Sequence, residues 1–344
     1  MKVRALTSIL LALALMLAVP GCASEPEEET LAVEPEAEAE EPREPMTIDV
    51  AYGPGPVAFP LAKLAQDGIA EINATVAPQA WTTGDQLKAL ITAQQVDIAV
   101  TPLTNAMLLY NNGAKVKLIN VGVWGMLYVV TPDGSLTELA QLKGKEVGIA
   151  GKGGIHDLLF RHLLIGQGID PDKDLTITYL DLADMQTKLA MGELTYAVLN
   201  EPASSGAVLT AKKQGVTLNR AIDLQVEWAE AVGNADARIP WAGYVVIGDA
   251  ADDAEMIEAF LNAFDEAAEW TNMNPAEAGP IIEAMDEKMK APAVADSLKY
   301  ARLDPKRAID SREAIEAFYN ELLKTANPES IGGKLPDDGF YYQP

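Results

Sequence analysis

Apolar positions along this chain change period in a repeating order. A short apolar stretch is followed by a turn marked by glycine or proline, then by a 3.6-residue period, and the cycle starts again. Thr47 to Tyr52 reads as a strand and Gly53-Pro54-Gly55-Pro56 as a stiff loop. Leu61, Leu64, Ala65, Gly68 and Ile69 then form one helix face. Ala74 to Ala77 is a second strand. The loop Trp81-Thr82-Thr83-Gly84-Asp85 offers Thr83 or Asp85 as a helix cap, and Leu87, Leu90 and Ile91 line the helix that follows. Asp97 to Val100 is a third strand, and Thr101-Pro102-Leu103-Thr104 reads as a loop leading into a helix through Met107 and Tyr110. Three strand–loop–helix units imply a parallel sheet with helices on its faces. Ligands of such sheets sit beyond the carboxyl ends of the strands, where these loops lie.

The cycle then recurs. Val116 to Val121 is a strand, Gly122-Val123-Trp124-Gly125 interrupts it, and Met126 to Thr131 resumes. The stretch Glu146 to Leu164 holds a short strand at Val147 and Ile149 and a loop at Gly151, Gly153 and Gly154. Ile155, Leu158, Leu159, His162 and Leu163 follow at helical spacing. The free N–H groups at that helix start carry partial positive charge, which suits an oxygen-rich or anionic group. Leu175 to Leu180, Ala183 to Met191 and Tyr196 to Leu199 predict strand, helix and strand. The loop Asn200-Glu201-Pro202 comes next, with a helix from Ala203. Ile239-Pro240-Trp241-Ala242-Gly243 leads into the strand Tyr244 to Ile247. Beyond Asp253 the pattern is helical, with Met256, Ile257, Phe260, Leu261 and Phe264 on one face and Ile315, Phe318, Tyr319 and Leu322 on another. The reading is α/β, with two such units.

Composition narrows the role. The 344 residues suit about two domains, and 49% apolar residues allow sizeable cores. A formal charge of −25 argues against nucleic acid as a partner. The one cysteine, Cys22, rules out an intrachain disulfide and a cysteine-rich metal site. His156 and His162, six apart, do not form a two-histidine metal site on a helix. No metal and no cofactor are expected.

Residues 1–22 read as an export signal: Lys2 and Arg4, the apolar run Leu6 to Val19, then Val19-Pro20-Gly21-Cys22. That ending resembles a bacterial lipobox, which would lipidate Cys22; the other reading is a plain secretory signal. Residues 23–45 are rich in Glu, Ala and Pro and read as an acidic, disordered tether reaching roughly 60 Å when stretched.

Five pieces in order carry a family resemblance: the glycine-proline loop after the first strand, LKALITAQQVDIAVTPLTNAM, LKGKEVGIAGKGGIHDLLFRHLLIGQGID, LAMGELTYAVLNEPASS, and GYVVIGDA with AEWTNMNPAEA. They resemble the nitrate/sulfonate/taurine/thiamine-precursor solute-binding proteins of ABC importers (SsuA/THI5-like, NMT1-like). The resemblance implies a type II periplasmic-binding-protein fold, two α/β lobes joined by a two-crossover hinge. Lobe 1 would be residues 46–128 and 246–344, and lobe 2 residues 129–245. It further implies an extracytoplasmic monomer, anchored to the bacterial membrane through lipid on Cys22. Such a protein would pass a small-molecule ligand to an ABC permease and its ATPase.

The resemblance puts Gly55, Pro56, Thr101, Pro102, Leu103 and Thr104 on one side of the cleft. It puts Gly153, Gly154, Ile155, His156, Asn200 and Glu201 on the other. Each residue has a plainer reading beside this one. The glycine loop either holds ligand or makes a tight turn, and His156 either donates to ligand or packs. Glu201 either meets a cationic or N–H-bearing ligand or makes an interlobe salt bridge. Trp81, Trp124, Trp241 and Tyr244 either stack on a flat ligand or fill the hinge and rim. No arginine stands clearly in a cleft loop, Arg161 and Arg238 being the nearest. An anionic ligand would thus depend on helix N-termini and on Thr82, Thr83, Thr101 and Thr104. The aromatics and Glu201 tilt the expectation toward a neutral or heterocyclic ligand. No GxSxG or HExxH motif occurs, so binding rather than catalysis is expected. A ligand-sensing lipoprotein is the alternative to a transport component.

Overall fold

The computed structural model describes residues 44–344. The signal segment, Cys22 and nearly all of the acidic tether therefore lie outside the described residues. In chain order the elements are β1 (Met46–Tyr52), α1 (Phe59–Asp67), β2 (Ala74–Ala80), α2 (Gly84–Thr92), β3 (Ile98–Pro102), α3 (Leu103–Asn111) and β4 (Val116–Trp124). There follow β5 (Leu127–Thr131), β6 (Glu146–Ile149), α4 (Ile155–Gly166), β7 (Thr176–Tyr179), α5 (Leu182–Met191), β8 (Tyr196–Asn200), α6 (Ala203–Lys213), β9 (Asn219–Asp223) and α7 (Leu224–Ala231). The chain ends with β10 (Pro240–Ile247), α8 (Ala254–Met273), α9 (Pro275–Met285), α10 (Ala291–Ser297), β11 (Leu303–Arg307) and α11 (Ala308–Leu322).

Two sheets result. The first has the order β11-β4-β10-β3-β1-β2 and the second β7-β6-β8-β5-β9. Strands linked by a helix, β1 to β2 and β6 to β7, pair in parallel, as the repeated units predict. Strands β5 and β10 bring the chain from one sheet to the other, and each pairs antiparallel with both neighbours. Both sheets are therefore mixed, not wholly parallel.

Burial explains which strands the sequence makes visible. All eight residues of β10 and eight of the nine in β4 are buried, because both strands run through the middle of the first sheet. Strand β4 continues through Gly122, Val123 and Trp124, where an interruption is expected, and stops at Gly125, whose φ of 60° turns the chain. Helix α1 ends earlier than its apolar face suggests. Gly68 at φ 70° closes it after Asp67, so Ile69 lies beyond the helix.

The two crossovers run side by side. Gly125 N–H donates to Ile239 O (2.9 Å). Gln225 clamps the second crossover, Nε2 donating to Ala237 O and Oε1 accepting from Ile239 N–H, each at 2.8 Å. Trp124 stands at this junction, 3% exposed, its indole N–H on Asp304 O (2.8 Å) and the Arg238 guanidinium 4.4 Å above its ring.

Candidate functional site

Carboxyl ends of strands from both sheets meet beside the crossovers. In the first sheet there is no loop at 101–104. Strand β3 runs to Pro102 and α3 begins at Leu103. This corner buries Thr101 to 1% exposure, with Leu103 and Thr104 also buried and Pro102 partly exposed. The Thr101 hydroxyl has no hydrogen-bond partner. In the ladder Thr101 pairs with Gly243, and Trp241 lies two residues further along β10. The Trp241 ring, 2% exposed, meets His156 of α4 edge to face, with centroids 5.0 Å apart and planes at 87°. Asn200, the last residue of β8, stands beside His156. Its Nδ2 donates to Glu201 O (2.9 Å), while its buried Oδ1 has no close partner and acts on the His156 ring alone. Thr101, Asn200, His156 and Trp241 thus bring side chains from both sheets to one region.

His156 controls the charge there. As a residue it is partly exposed, but its Nε2 is shut off from solvent and unpartnered. Burial pushes the imidazole pKa down to about 4, against the opposing effect of Asn200. The ring is neutral at pH 7 and offers one donor and one acceptor. A depressed histidine pKa means that the unfolded chain binds the proton more readily. Stability from this ring is complete above pH 6.5 and is lost as pH falls toward 4, reaching about 3 kcal/mol. His162, also lowered by burial, acts in the same direction. Urea unfolding of wild type and His156→Asn between pH 7.5 and 4.5 isolates the first ring. Wild type is expected to lose about 2 kcal/mol more than the variant, and parallel pH profiles would contradict this.

The glycine loop is built as the sequence predicts, with Gly151 at φ 64° and Gly153 at φ 74°, both conformations that favour glycine. Gly154 is the N-cap of α4 and Ile155 is buried. The loop N–H just before the helix is already engaged by an acid of the helix itself. Asp157, 3% exposed, accepts from Gly153 N–H (2.8 Å), Arg161 Nε (2.8 Å) and the Tyr179 hydroxyl (3.0 Å). An acid in the first turn is the sequence signal that would have disclosed this.

The remaining expected residues divide. Trp81 lies flat against Gly53, where a Cβ would come within 2.7 Å of its ring, and its indole N–H donates to Val100 O (3.2 Å). Thr83 caps α2 by accepting from Gln86 N–H (3.2 Å), and Thr82 donates through both N–H and hydroxyl to Gln86 Oε1. Both threonines are exposed. Gly55 and Pro56 are buried at the start of a short 3₁₀ turn, Gly55 O accepting from Ala58 N–H (2.9 Å). Tyr244 is a core residue rather than a rim aromatic. Its ring is fully buried against Phe260 and Phe264, and its hydroxyl donates to Val57 O (2.9 Å). His162 is likewise packed, against Trp228 and 2.9 Å from the Thr325 hydroxyl.

Glu201 is fully buried and engaged by protein groups. Its carboxylate accepts from Arg220 Nε (2.6 Å) and from Ser205 Oγ (2.8 Å) and N–H (3.2 Å). Burial raises its pKa, with Arg220 and Ser205 acting against that. Arg220 also reaches Asp296 of α10 (3.2 Å) and lies 3.8 Å over the Tyr300 ring. The Glu201–Arg220 pair itself lies within the second sheet and its loops and is not the interlobe salt bridge expected of Glu201, whereas through Asp296 the same arginine ties the second sheet to the C-terminal helices. Arg302 does the same at the crossovers, bonding Gly125 O, the Tyr128 hydroxyl and Asp223. Arg220 and Arg302 are absent from the sequence reading because neither stands in a recognisable motif.

A surface cavity of about 510 Å³ lies elsewhere, between α1 and α8, and touches none of these groups. Among the described residues no cluster of three His, Cys, Asp or Glu could hold a metal ion, and no helix is long and apolar enough to cross a membrane.

The profile of the NMT1-like family matches residues 41–285. No curated protein matches the chain. Among solved structures the chain is similar to an ABC transporter protein from Parabacteroides distasonis, at 24% identity and TM-score 0.72, over 86% of this chain and 99% of that one. It is similar to the periplasmic aliphatic sulphonate binding protein SsuA from Escherichia coli, at 18% identity and TM-score 0.62, over 84% and 99%. It is also similar to the periplasmic nitrate-binding protein NrtA from Synechocystis PCC 6803, at 18% and 0.56, over 81% of each chain. At these identities the likeness establishes the fold: two α/β lobes of the type II periplasmic-binding-protein kind, one around each sheet.

Proposed function

We propose, from the premise that this chain belongs to the NMT1-like family, that it is a solute-binding component of an ABC import system. It captures a small molecule between its two lobes and delivers it to a permease and ATPase. One observation carries this reading. Three buried polar atoms without close partners, Thr101 Oγ1, His156 Nε2 and Asn200 Oδ1, stand on strand and helix ends of the two lobes, joined by the Trp241–His156 contact. Each such atom costs about 1–3 kcal/mol when left unmatched, and a bound ligand recovers that cost.

The mechanism is closure about the two crossovers. A ligand touching Thr101 on one lobe and Asn200 and His156 on the other stabilises the closed arrangement, and the population shifts toward it. In this reading Trp81, Gly55, Pro56, Thr104, Gly153 and Gly154 are wall residues of the cleft, and Trp124 packs at the crossover. We assign lobe 1 to residues 46–124 and 240–344, around the first sheet, and lobe 2 to residues 127–239, around the second, because β5 starts at Leu127 and β10 at Pro240, short of the expected bounds at 128 and 246. The protein acts outside the cytoplasm as a monomer, held to the membrane by lipid on Cys22 and carried on the acidic tether. No step of bond chemistry is assigned to it.

Native mass spectrometry of the purified protein, followed by thermal-shift competition, tests the reading. Thr101→Val keeps the side-chain shape and removes the hydroxyl. It is expected to weaken the identified ligand about tenfold or more while moving the ligand-free melting temperature little. Unchanged affinity in Thr101→Val would remove this residue from the site.

A further inference from the structure

Away from the crossovers, two helices of lobe 1 reach across to lobe 2. Helix α9 packs on α1, and the Tyr52 hydroxyl at the carboxyl end of β1 donates to Met285 O at the end of α9 (3.4 Å). Helix α10 follows α9 and packs on α6 of lobe 2, which begins at Ala203, just after Glu201. The two helices form an arm of lobe 1, and Asp296 and Tyr300 lie where it meets lobe 2. The Asp296 carboxylate accepts from Arg220 Nη2 of β9 (3.2 Å) and lies 3.0 Å from Ser205 Oγ of α6. The Arg220 guanidinium sits 3.8 Å over the Tyr300 ring, and Tyr300 O accepts from the Tyr128 hydroxyl (2.7 Å).

The charges are arranged so that this contact can part. Within lobe 2, Arg220 holds Glu201 through Nε (2.6 Å). Ser205 has a single hydroxyl proton and two carboxylates in reach, Glu201 at 2.8 Å and Asp296 at 3.0 Å. Within lobe 1, Lys299 lies one helical turn after Asp296, at 3.1 Å. When the arm lifts from α6, Arg220 and Ser205 stay with Glu201, and Asp296 stays with Lys299. No buried charge is stranded, which is the event that makes breaking an ion pair costly. The Asp296 side chain is 24% exposed and that of Lys299 65%, so water can solvate the released anion. The pair at the crossovers is built differently. Arg302 bonds Asp223 and also Gly125 O of the crossover itself, so it lies beside the axis about which the lobes turn, where rotation moves atoms least.

We propose that Asp296 is a reversible latch between the lobes. Bonded to Arg220 and Ser205 it holds the arm on α6 and favours the closed arrangement, and its release lets the lobes part. The inference rests on the closure mechanism of the reading above and adds the residues that set the balance between open and closed. A closed arrangement grips a ligand from both sides, so the latch tunes affinity without touching the ligand.

The test needs no ligand. Lys88→Cys on α2 and Thr187→Cys on α5, both exposed, carry spin labels in the dialysed full-length protein, with Cys22→Ser to leave no other thiol. These helices follow the edge strands β2 and β7, far from the crossovers, so pulsed dipolar spectroscopy between the labels reads lobe separation. At low ionic strength Asp296→Ala is expected to move the ratio of short to long distances about fivefold toward the long one. Lys299→Ala, which removes the partner that Asp296 has when released, should move the ratio toward the short one. Adding about 1 M sodium chloride should lengthen the distance in the labelled parent and change little in Asp296→Ala. An unchanged ratio in Asp296→Ala, both variants moving in one direction, or an equal salt response with and without Asp296 would each overturn the latch. The solute-binding reading is judged separately by mass spectrometry. A bound species beside an inert latch would leave that reading standing, and a responsive latch in a protein that binds nothing would overturn the reading and keep the latch.

Discussion

Arg220→Met is expected to destabilise the fold by about 3–5 kcal/mol, because it leaves the Glu201 carboxylate buried without its cation. Glu201 is fully buried, and Ser205 alone remains to hold it. The deficit should depend on pH with a definite sign. Burial already raises the Glu201 pKa, and loss of Arg220 raises it further. A carboxyl whose folded pKa exceeds its unfolded value burdens the fold most at high pH, and the burden fades as pH falls toward the unfolded value of about 4.3. Denaturant unfolding at pH 7.5 and pH 5 should therefore show a smaller difference between variant and wild type at pH 5. Adding Glu201→Gln should restore most of the lost stability. A single variant within about 1 kcal/mol of wild type at both pH values would mean that the ion pair is dispensable.

Gly243→Ala is expected to cost more than about 4 kcal/mol or to prevent soluble expression. A Cβ at this position would stand 2.0 Å from Asn120 O and 3.2 Å from Val121 Cα, both backbone atoms of β4. Neither can retreat, since β4 is clamped between β10 and β11. Because Gly243 pairs with Thr101 and lies two residues from Trp241, the same clash would displace the binding face. Gly84→Ala is the control. Nothing lies within 4 Å of its Cβ position, and it is the first residue of α2, so the change should be neutral or stabilising by about 0.5 kcal/mol. Unfolding midpoints of the two variants, measured side by side, decide the matter. A Gly243→Ala protein as stable as the control would show that the strands can separate there at little cost.

Elements with a strong apolar period were readable from the chain. Helices α4, α8 and α11 bury the residues that their spacing selects, among them Leu159, Phe260, Phe264, Ile315 and Phe318. Strand β11, with the sequence LDPKR, has no such pattern, and β9 is mostly half-exposed. Both are edge strands whose pairing depends on a neighbour more than on their own residues. The corner at Thr101 to Leu103 reads as a loop because proline and threonine punctuate it, yet the strand passes directly into α3.

The side-chain pattern was enough for the α/β character, the order of units, the helix start beside His156 and the glycine loop at 151–154. These depend on side-chain period and local backbone preference, which neighbouring residues settle. The tertiary structure alone decided which charges meet. Arg220 finds Asp296 across 76 residues and Arg302 finds Asp223 across 79. Nothing local selects such a pair, because either arginine could equally remain in solvent. Only packing of the C-terminal helices against the second lobe removes the water that would have solvated them, and once it is gone each cation must have its anion.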